Sequence, residues 1–269
     1  MKLSKNGLYL AIIMLCFALT SCSKDDNDDI IDVTQDEAGK IPGLGEAAGE
    51  LSGEPFVLPS GLSLTKDIKG YDGYYSRTYA ASNNANQPNN LKKMSKALRM
   101  SSLRERTLAL RADGLPDHTV GSGVFVTLAV EIKNETDATK NLLFPAGLIV
   151  KSRSGDYQNG VLLKKTEVSI PGNTTQLVVL LMYCGNAKKS PSSTAEFYDF
   201  AVVSNSSTIH DLIDRLKNKK INYEDFSDDT SSVFTDQVFR IQDILWQLTD
   251  FPDGLSEDDI SYINELPGM

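Results

Sequence analysis

The chain has 269 residues, of which 27 are Lys or Arg and 36 are Asp or Glu, a formal charge of −9; that length permits one large domain or two small ones. With 41% hydrophobic and 23% charged residues it fits a packed globular core and excludes a chain disordered throughout or an integral membrane protein. The acidic balance argues against a nucleic-acid binder, whose phosphate contacts need a basic surface, and two histidines and three cysteines leave little material for a transition-metal site.

Lys2 and Lys5 precede an uncharged apolar run from Leu8 to Leu19, followed at once by Thr20, Ser21 and Cys22. A positive flank, a short apolar segment and small residues before a cut are the parts of a secretory signal. At about 1.5 Å per residue the run reaches roughly 18 Å, short of the roughly 30 Å of a bilayer core, so it is a poor transmembrane helix. Leu19-Thr20-Ser21-Cys22 resembles the lipobox of bacterial lipoproteins, which implies a lipidated Cys22 as the mature first residue and an anchor in the membrane through its acyl chains. Ser23-Lys24-Asp25-Asp26 opens a run in which residues 25–37 hold seven acidic residues. Such a segment repels itself and has nothing to bury, so it reads as an extended tether. It also resembles the surface-export segment of Bacteroidota lipoproteins, which implies the outer membrane and favours its external over its periplasmic face. Loss of residues 1–21 leaves 25 basic against 36 acidic residues, a formal charge of −11. That charge disfavours further contact with anionic lipid and leaves anchoring to the acyl chains.

The composition divides the chain into a signal peptide at 1–21, an acidic flexible tether at 22–60, a poorly defined segment with a basic helix at 61–115, and a β-rich region with helices at 116–269. Gly43-Leu44-Gly45-Glu46-Ala47-Ala48-Gly49 lacks the spacing and the preceding strand of a dinucleotide loop, so it counts as linker. Tyr71, Tyr74, Tyr75 and Tyr79 cluster either as a binding surface or as half-buried strand and turn packing. From Leu91 to Arg111 seven basic residues face Glu105 alone, and Leu91, Met94 and Leu98 share one helical face behind Asn90. This stretch is either an anion-binding patch or a solvated helix flank.

Beyond Gly123 the period changes to two. Val124, Val126, Leu128, Val130 and Ile132 alternate with Phe125, Thr127, Ala129 and Glu131. A second strand is expected over Leu142–Val150, bent at Pro145-Ala146-Gly147, a third over Gly160–Ile170, either whole or broken in two, and, after Pro171-Gly172-Asn173, a fourth over Gln176–Tyr183. The last is apolar at nearly every position, so both its faces should be covered. Glu196–Val203 is a further strand. Short strands between regular turns suggest a mainly β fold, an antiparallel immunoglobulin-like β-sandwich. C-terminal α-helices pack on it. Ile209, Leu212, Ile213 and Leu216 mark the first, with Thr208 and Asp211 placed as a capping box; Val238, Ile241, Leu245 and Leu248 mark the second; Ser256 and Asp259 cap a third carrying Ile260, Ile263 and Leu266.

Cys16 leaves with the signal and Cys22 takes the lipid, so Cys184 has no disulfide partner within the mature chain. A leftover cysteine in an exported protein is either buried and inert or chemically committed. It follows the most apolar strand, as Tyr183-Cys184-Gly185-Asn186. On the second helix Gln242 follows Val238 by four and precedes Leu245 by three, which sets its amide on the apolar stripe. A buried amide left unpaired costs about 1–3 kcal/mol, so Gln242 needs a partner. Tyr183-Cys184 and Ile241-Gln242-Asp243-Ile244-Leu245-Trp246 together resemble the thioester domains of bacterial surface adhesins. The resemblance spans roughly residues 120–265 and rests on these two short motifs. It implies that the Cys184 thiolate displaces ammonia from Gln242, and that an amine on another surface then attacks the internal thioester, giving covalent attachment. The alternative is Cys184 as a small apolar residue and Gln242 bonded to backbone.

Other chemistry finds no motif. His118 lies in a Pro116-Asp117-His118 turn and His210 at a helix start; no Gly-x-Ser-x-Gly elbow is present. Asp250-Phe251-Pro252-Asp253-Gly254 lacks the ligand alternation of a calcium loop. The expectation is a binding or adhesion module with an extracellular protein or glycan partner. It is not expected to be an enzyme, or to use a cofactor, a metal or a nucleic acid.

Overall fold

The computed structural model describes residues 34–71, 116–226 and 231–269. Cys22 and the lipobox, Tyr74, Tyr75, Tyr79 and the basic stretch 91–111 lie outside the described residues.

Eleven strands are described. In chain order they are β1 (Gly53–Pro55), β2 (Leu62–Leu64), β3 (Ile68–Gly70), β4 (His118–Gly121), β5 (Val126–Asn134), β6 (Lys140–Phe144), β7 (Leu148–Ser152), β8 (Gly160–Val161), β9 (Thr166–Ile170), β10 (Thr175–Cys184) and β11 (Phe197–Ser204). Three helices follow, α1 (Ser207–Leu216), α2 (Ser231–Thr249) and α3 (Glu257–Glu265), with one 3-10 turn at Tyr223–Asp225 before α2.

The strands are mainly antiparallel and the helices are C-terminal, as the periodicity predicts. They do not form an immunoglobulin-like pair of sheets. β5 pairs with β3, β3 with β11, β11 with β7, β7 with β8, β8 with β10, and β10 again with β5, every pair antiparallel. The result is a six-stranded closed ring. β2 extends along β5, β1 along β11, and β4 runs parallel to β10. β6 and β9 form a separate ribbon. A closed ring this small is filled by its own side chains. Val126, Leu128, Val130 and Ile132 of β5 are fully buried, as is every residue of β10 from Val178 to Cys184. Alternate side chains of a strand point to opposite faces, so that unbroken run requires cover on both sides of β10.

Several local expectations change. The bend at Pro145-Ala146-Gly147 parts two strands that belong to different sheets, β6 in the ribbon and β7 in the ring. The Gly160–Ile170 run takes the broken form of its two expected ones, β8 in the ring and β9 in the ribbon. His118 starts β4, paired with Val178, where the sequence suggests a turn. The cap of α1 is Ser206, whose side chain accepts from Ile209 N–H, in place of the expected Thr208–Asp211 box. The α3 box of Ser256 and Asp259 is present. Composition assigns residues 22–60 to a tether, yet the described part of it lies on the ring: Leu44 is fully buried, Thr34 bridges to Ser206, and β1 pairs with β11. A low density of large apolar residues hid this, because only five of them (Ile41, Leu44, Leu51, Phe56 and Leu58) carry the packing.

Candidate functional site

β5 leaves β10 at the pair Met182–Val126, whereas β10 runs on to Cys184, which pairs on its other side with Gly160 of β8. Among the described residues no strand completes the side of Cys184 facing away from β8. Gln242 takes that place from α2. Cys184 N–H donates to Gln242 Oε1 at 2.7 Å, and Gln242 Nε2 donates to the Cys184 carbonyl at 2.9 Å. A side-chain amide thus makes the pair of bonds that a neighbouring strand residue would make.

Phe234, Val238, Ile241, Leu245 and Leu248 of α2 are buried at the three- and four-residue spacing of an apolar face, which presses the helix onto the ring. Gln242 lies within that face, 1% exposed, and Cys184 is 0% exposed. One turn on, Trp246 Nε1 donates to Cys184 Sγ at 3.3 Å, and the ring of Trp246 leans on Phe125 with centroids 5.2 Å apart. Asn186 N–H donates to the same sulfur, also at 3.3 Å. Burial pushes the Cys184 thiol far above its usual range, against the two N–H bonds to sulfur that act to lower it. A free thiol at this position would be held in its protonated form by burial.

Cys184, Gln242 and Trp246, which sequence spacing singles out, are therefore brought together. Three further groups were missed. Asn186 is 1% exposed; its Oδ1 accepts from Asn159 N–H at 3.0 Å and its Nδ2 donates to the Gly45 carbonyl at 2.9 Å. Asp250 accepts from Ala187 N–H at 2.9 Å and from the Thr249 hydroxyl at 2.7 Å, so it holds the turn after Cys184 against the end of α2. Burial raises its carboxyl above the usual range, opposed by those two bonds. Leu44 and Gly45 complete the wall from the N-terminal side. The glycine-rich composition around them was the available signal, since a backbone crossing another closely selects residues without a Cβ.

His118 and His210 stand apart from this centre. His210 Nε2 donates to the Ser204 carbonyl at 2.7 Å, a structural bond at the start of α1. Among the described residues no group of three His, Cys, Asp or Glu side chains is arranged as metal ligands.

Compared with protein-family models, curated proteins and solved structures, the chain matches none.

Chemically, the arrangement buries a carboxamide on the main chain of a buried cysteine. The Cys184 N–H already sits on Oε1, the atom that gains negative charge when the amide carbon is attacked, and a donor fixed there in advance lowers the barrier to acyl transfer. Two N–H groups sit on the sulfur, where a departing thiolate would carry its charge.

Proposed function

We propose that this chain is a surface-anchored bacterial lipoprotein, held in the outer membrane by lipid on Cys22, and that its β-rich domain is an extracellular adhesion module whose warhead is a thioester between Cys184 and Gln242. The observation that carries the reading is that the two sequence motifs meet in the buried core, with the Gln242 amide on the Cys184 main chain and Trp246 Nε1 donating to Cys184 Sγ at 3.3 Å.

The chemistry balances without a co-reactant. Sγ attacks Cδ of Gln242, the Sγ–Cδ bond forms and Cδ–Nε2 breaks. The thiol proton leaves with the amide nitrogen as ammonia. In the second step a primary amine of a partner protein or amino-sugar attacks Cδ. A new amide forms, Sγ–Cδ breaks, and the amine proton passes to the sulfur. Trp246 and Asn186 N–H stabilise the departing thiolate, and burial keeps hydrolysis from competing.

A second reading keeps the module and drops the covalent step: the domain binds glycan or protein non-covalently. Its supporting observation is that Gln242 has both amide atoms satisfied by backbone alone, so a structural glutamine already explains its burial. Isotopically labelled methylamine separates the two. Under the thioester reading, peptide mapping of the treated mature chain finds the label on Gln242 in stoichiometric yield and none in Cys184→Ala. Absence of label from Gln242 in folded protein that also has its full calculated mass selects the second reading.

A further inference from the structure

Residues 39–51 carry no helix or strand, yet they form the last wall of the Cys184 site. The loop is packed on itself. Leu44 N–H bonds the Ile41 carbonyl at 3.1 Å and Ala47 N–H the Leu44 carbonyl at 3.1 Å. A Cβ on Gly43 would lie 2.9 Å from Leu51, and one on Gly49 3.2 Å from Pro42. Ends that meet around their own side chains define an Ω-loop. Its tip touches both elements that present the reactive pair. Gly45 N–H donates to the Gly185 carbonyl at 2.7 Å and the Gly45 carbonyl accepts from Asn186 Nδ2 at 2.9 Å, on the Cys184 side. Gly39 N–H donates to the Leu248 carbonyl at 2.8 Å, on the α2 side.

Two close approaches show that the sites are shaped for each other. A Cβ on Gly185 would lie 2.8 Å from Leu44 Cδ2, so the residue after Cys184 lacks a side chain where the loop's leucine sits. A Cβ on Gly45, at φ +57°, would lie 1.9 Å from the Thr249 carbonyl. Leu44 is 0% exposed although it belongs to a loop without regular structure. Outside the tip, Lys188 is ion-paired with Glu46 at the surface.

We propose that the Gly39–Leu51 loop is a lid whose opening controls access to Cys184 and Gln242. The loop is held to the rest of the domain by hydrogen bonds at Gly39, Gly43 and Gly45, by buried Ile41 and Leu44, and by two exposed ion pairs, Lys188–Glu46 and Lys151–Glu50, with no strand ladder of its own. Its flanks are fixed more firmly, by the Thr34 bridge to Ser206 on one side and β1 on the other. Lifting the tip removes Leu44 from above Gly185 and opens a path to the sulfur while the ring stays intact. The proposal deepens the thioester reading by naming what regulates it, but its geometry holds equally for a free thiol.

The test uses the soluble mature chain and one of two reporters, chosen by its intact mass: methylamine uptake where the thioester is present, iodoacetamide alkylation of Cys184 where it is absent. Failure of the thioester reading therefore leaves the lid test intact. Leu44→Ala should raise the reaction rate at least about tenfold, since it removes most of the buried contact that holds the tip. Glu46→Lys, which replaces the surface attraction with repulsion, should raise it a few-fold, and added salt should abolish that rise. In the unaltered protein the rate at low urea should be nearly flat, the mark of a local opening that exposes little surface. Unchanged rates in both variants, or a urea slope equal to that of global unfolding, would overturn the lid.

Discussion

At Cys184 one residue uses every polar group it has: N–H and carbonyl toward Gln242, sulfur toward Trp246 and Asn186. Replacing Gln242 by Leu leaves two main-chain groups buried and unpaired, each costing about 1–3 kcal/mol. Thermal unfolding should drop by roughly 5–15 °C for a domain of this size. Gln242→Glu sets a carboxylate against the Cys184 carbonyl. Its folded-state pKa lies above the unfolded value, so the penalty is absent at pH below that value and grows as pH rises through it. Relative to the unaltered protein at the same pH, this variant should be nearly normal near pH 4 and much weaker at pH 7. The alkaline side reads the sulfur itself. A buried thiol keeps its proton where the unfolded chain loses it, so its stabilisation is complete below the ordinary value near 8.5 and fades above it, by about 1.4 kcal/mol per pH unit. A thioester sulfur does not titrate. Protein opened with methylamine should therefore lose urea stability more steeply above pH 8.5 than untreated protein; parallel curves would count against the bond.

At the scale of elements, periodicity carried most of what was legible. The alternation from Val124 to Ile132 gave β5, the unbroken apolar run gave the doubly covered β10, and the three- and four-residue spacing of Val238, Ile241, Leu245 and Leu248 gave α2. The same spacing put Gln242 on the buried face and so found half the site. What the spacing could not contain was contact across long separations. The start of α1 shows this. Its N-terminal N–H groups are satisfied by Ser206 and also by Asp36, whose Oδ1 accepts from Thr208 N–H at 3.0 Å, Thr208 Oγ1 at 2.7 Å and Ser207 Oγ at 3.0 Å. Asp36 is one of the acids that made residues 25–37 look like pure tether. Asp36→Ala should cost about 1 kcal/mol, the value of a helix cap, and lower the urea midpoint without touching the Cys184 chemistry; no shift would show that the cap is redundant.

At the scale of the whole molecule, ring closure decides the architecture, and no local pattern announces it. An open sandwich and a closed ring use the same alternating strands; they differ in whether β5 and β10 find each other across 175–182 and 126–133. Closure also ends β5 before β10, which is why a helix side chain is needed at Cys184. A second long-range device lies away from the site. Lys164, buried, donates to Asp225 Oδ2 at 2.6 Å and to the Lys219 carbonyl at 2.7 Å, tying the connection between β8 and β9 to the segment before α2. Lys164→Met leaves a buried carboxylate without its cation and should cost about 3 kcal/mol, seen as a lower urea midpoint with an unchanged slope.

A covalent bond between Cys184 and Gln242 expels ammonia, and mass reads that loss directly. The intact mass of the soluble mature chain, purified without amines and compared with Cys184→Ala, should fall one ammonia below the calculated value, with the variant at its full mass. A full calculated mass for the folded protein, with Cys184 alkylated on denaturation, would contradict the thioester and leave Gln242 as the structural partner of the last residue of β10.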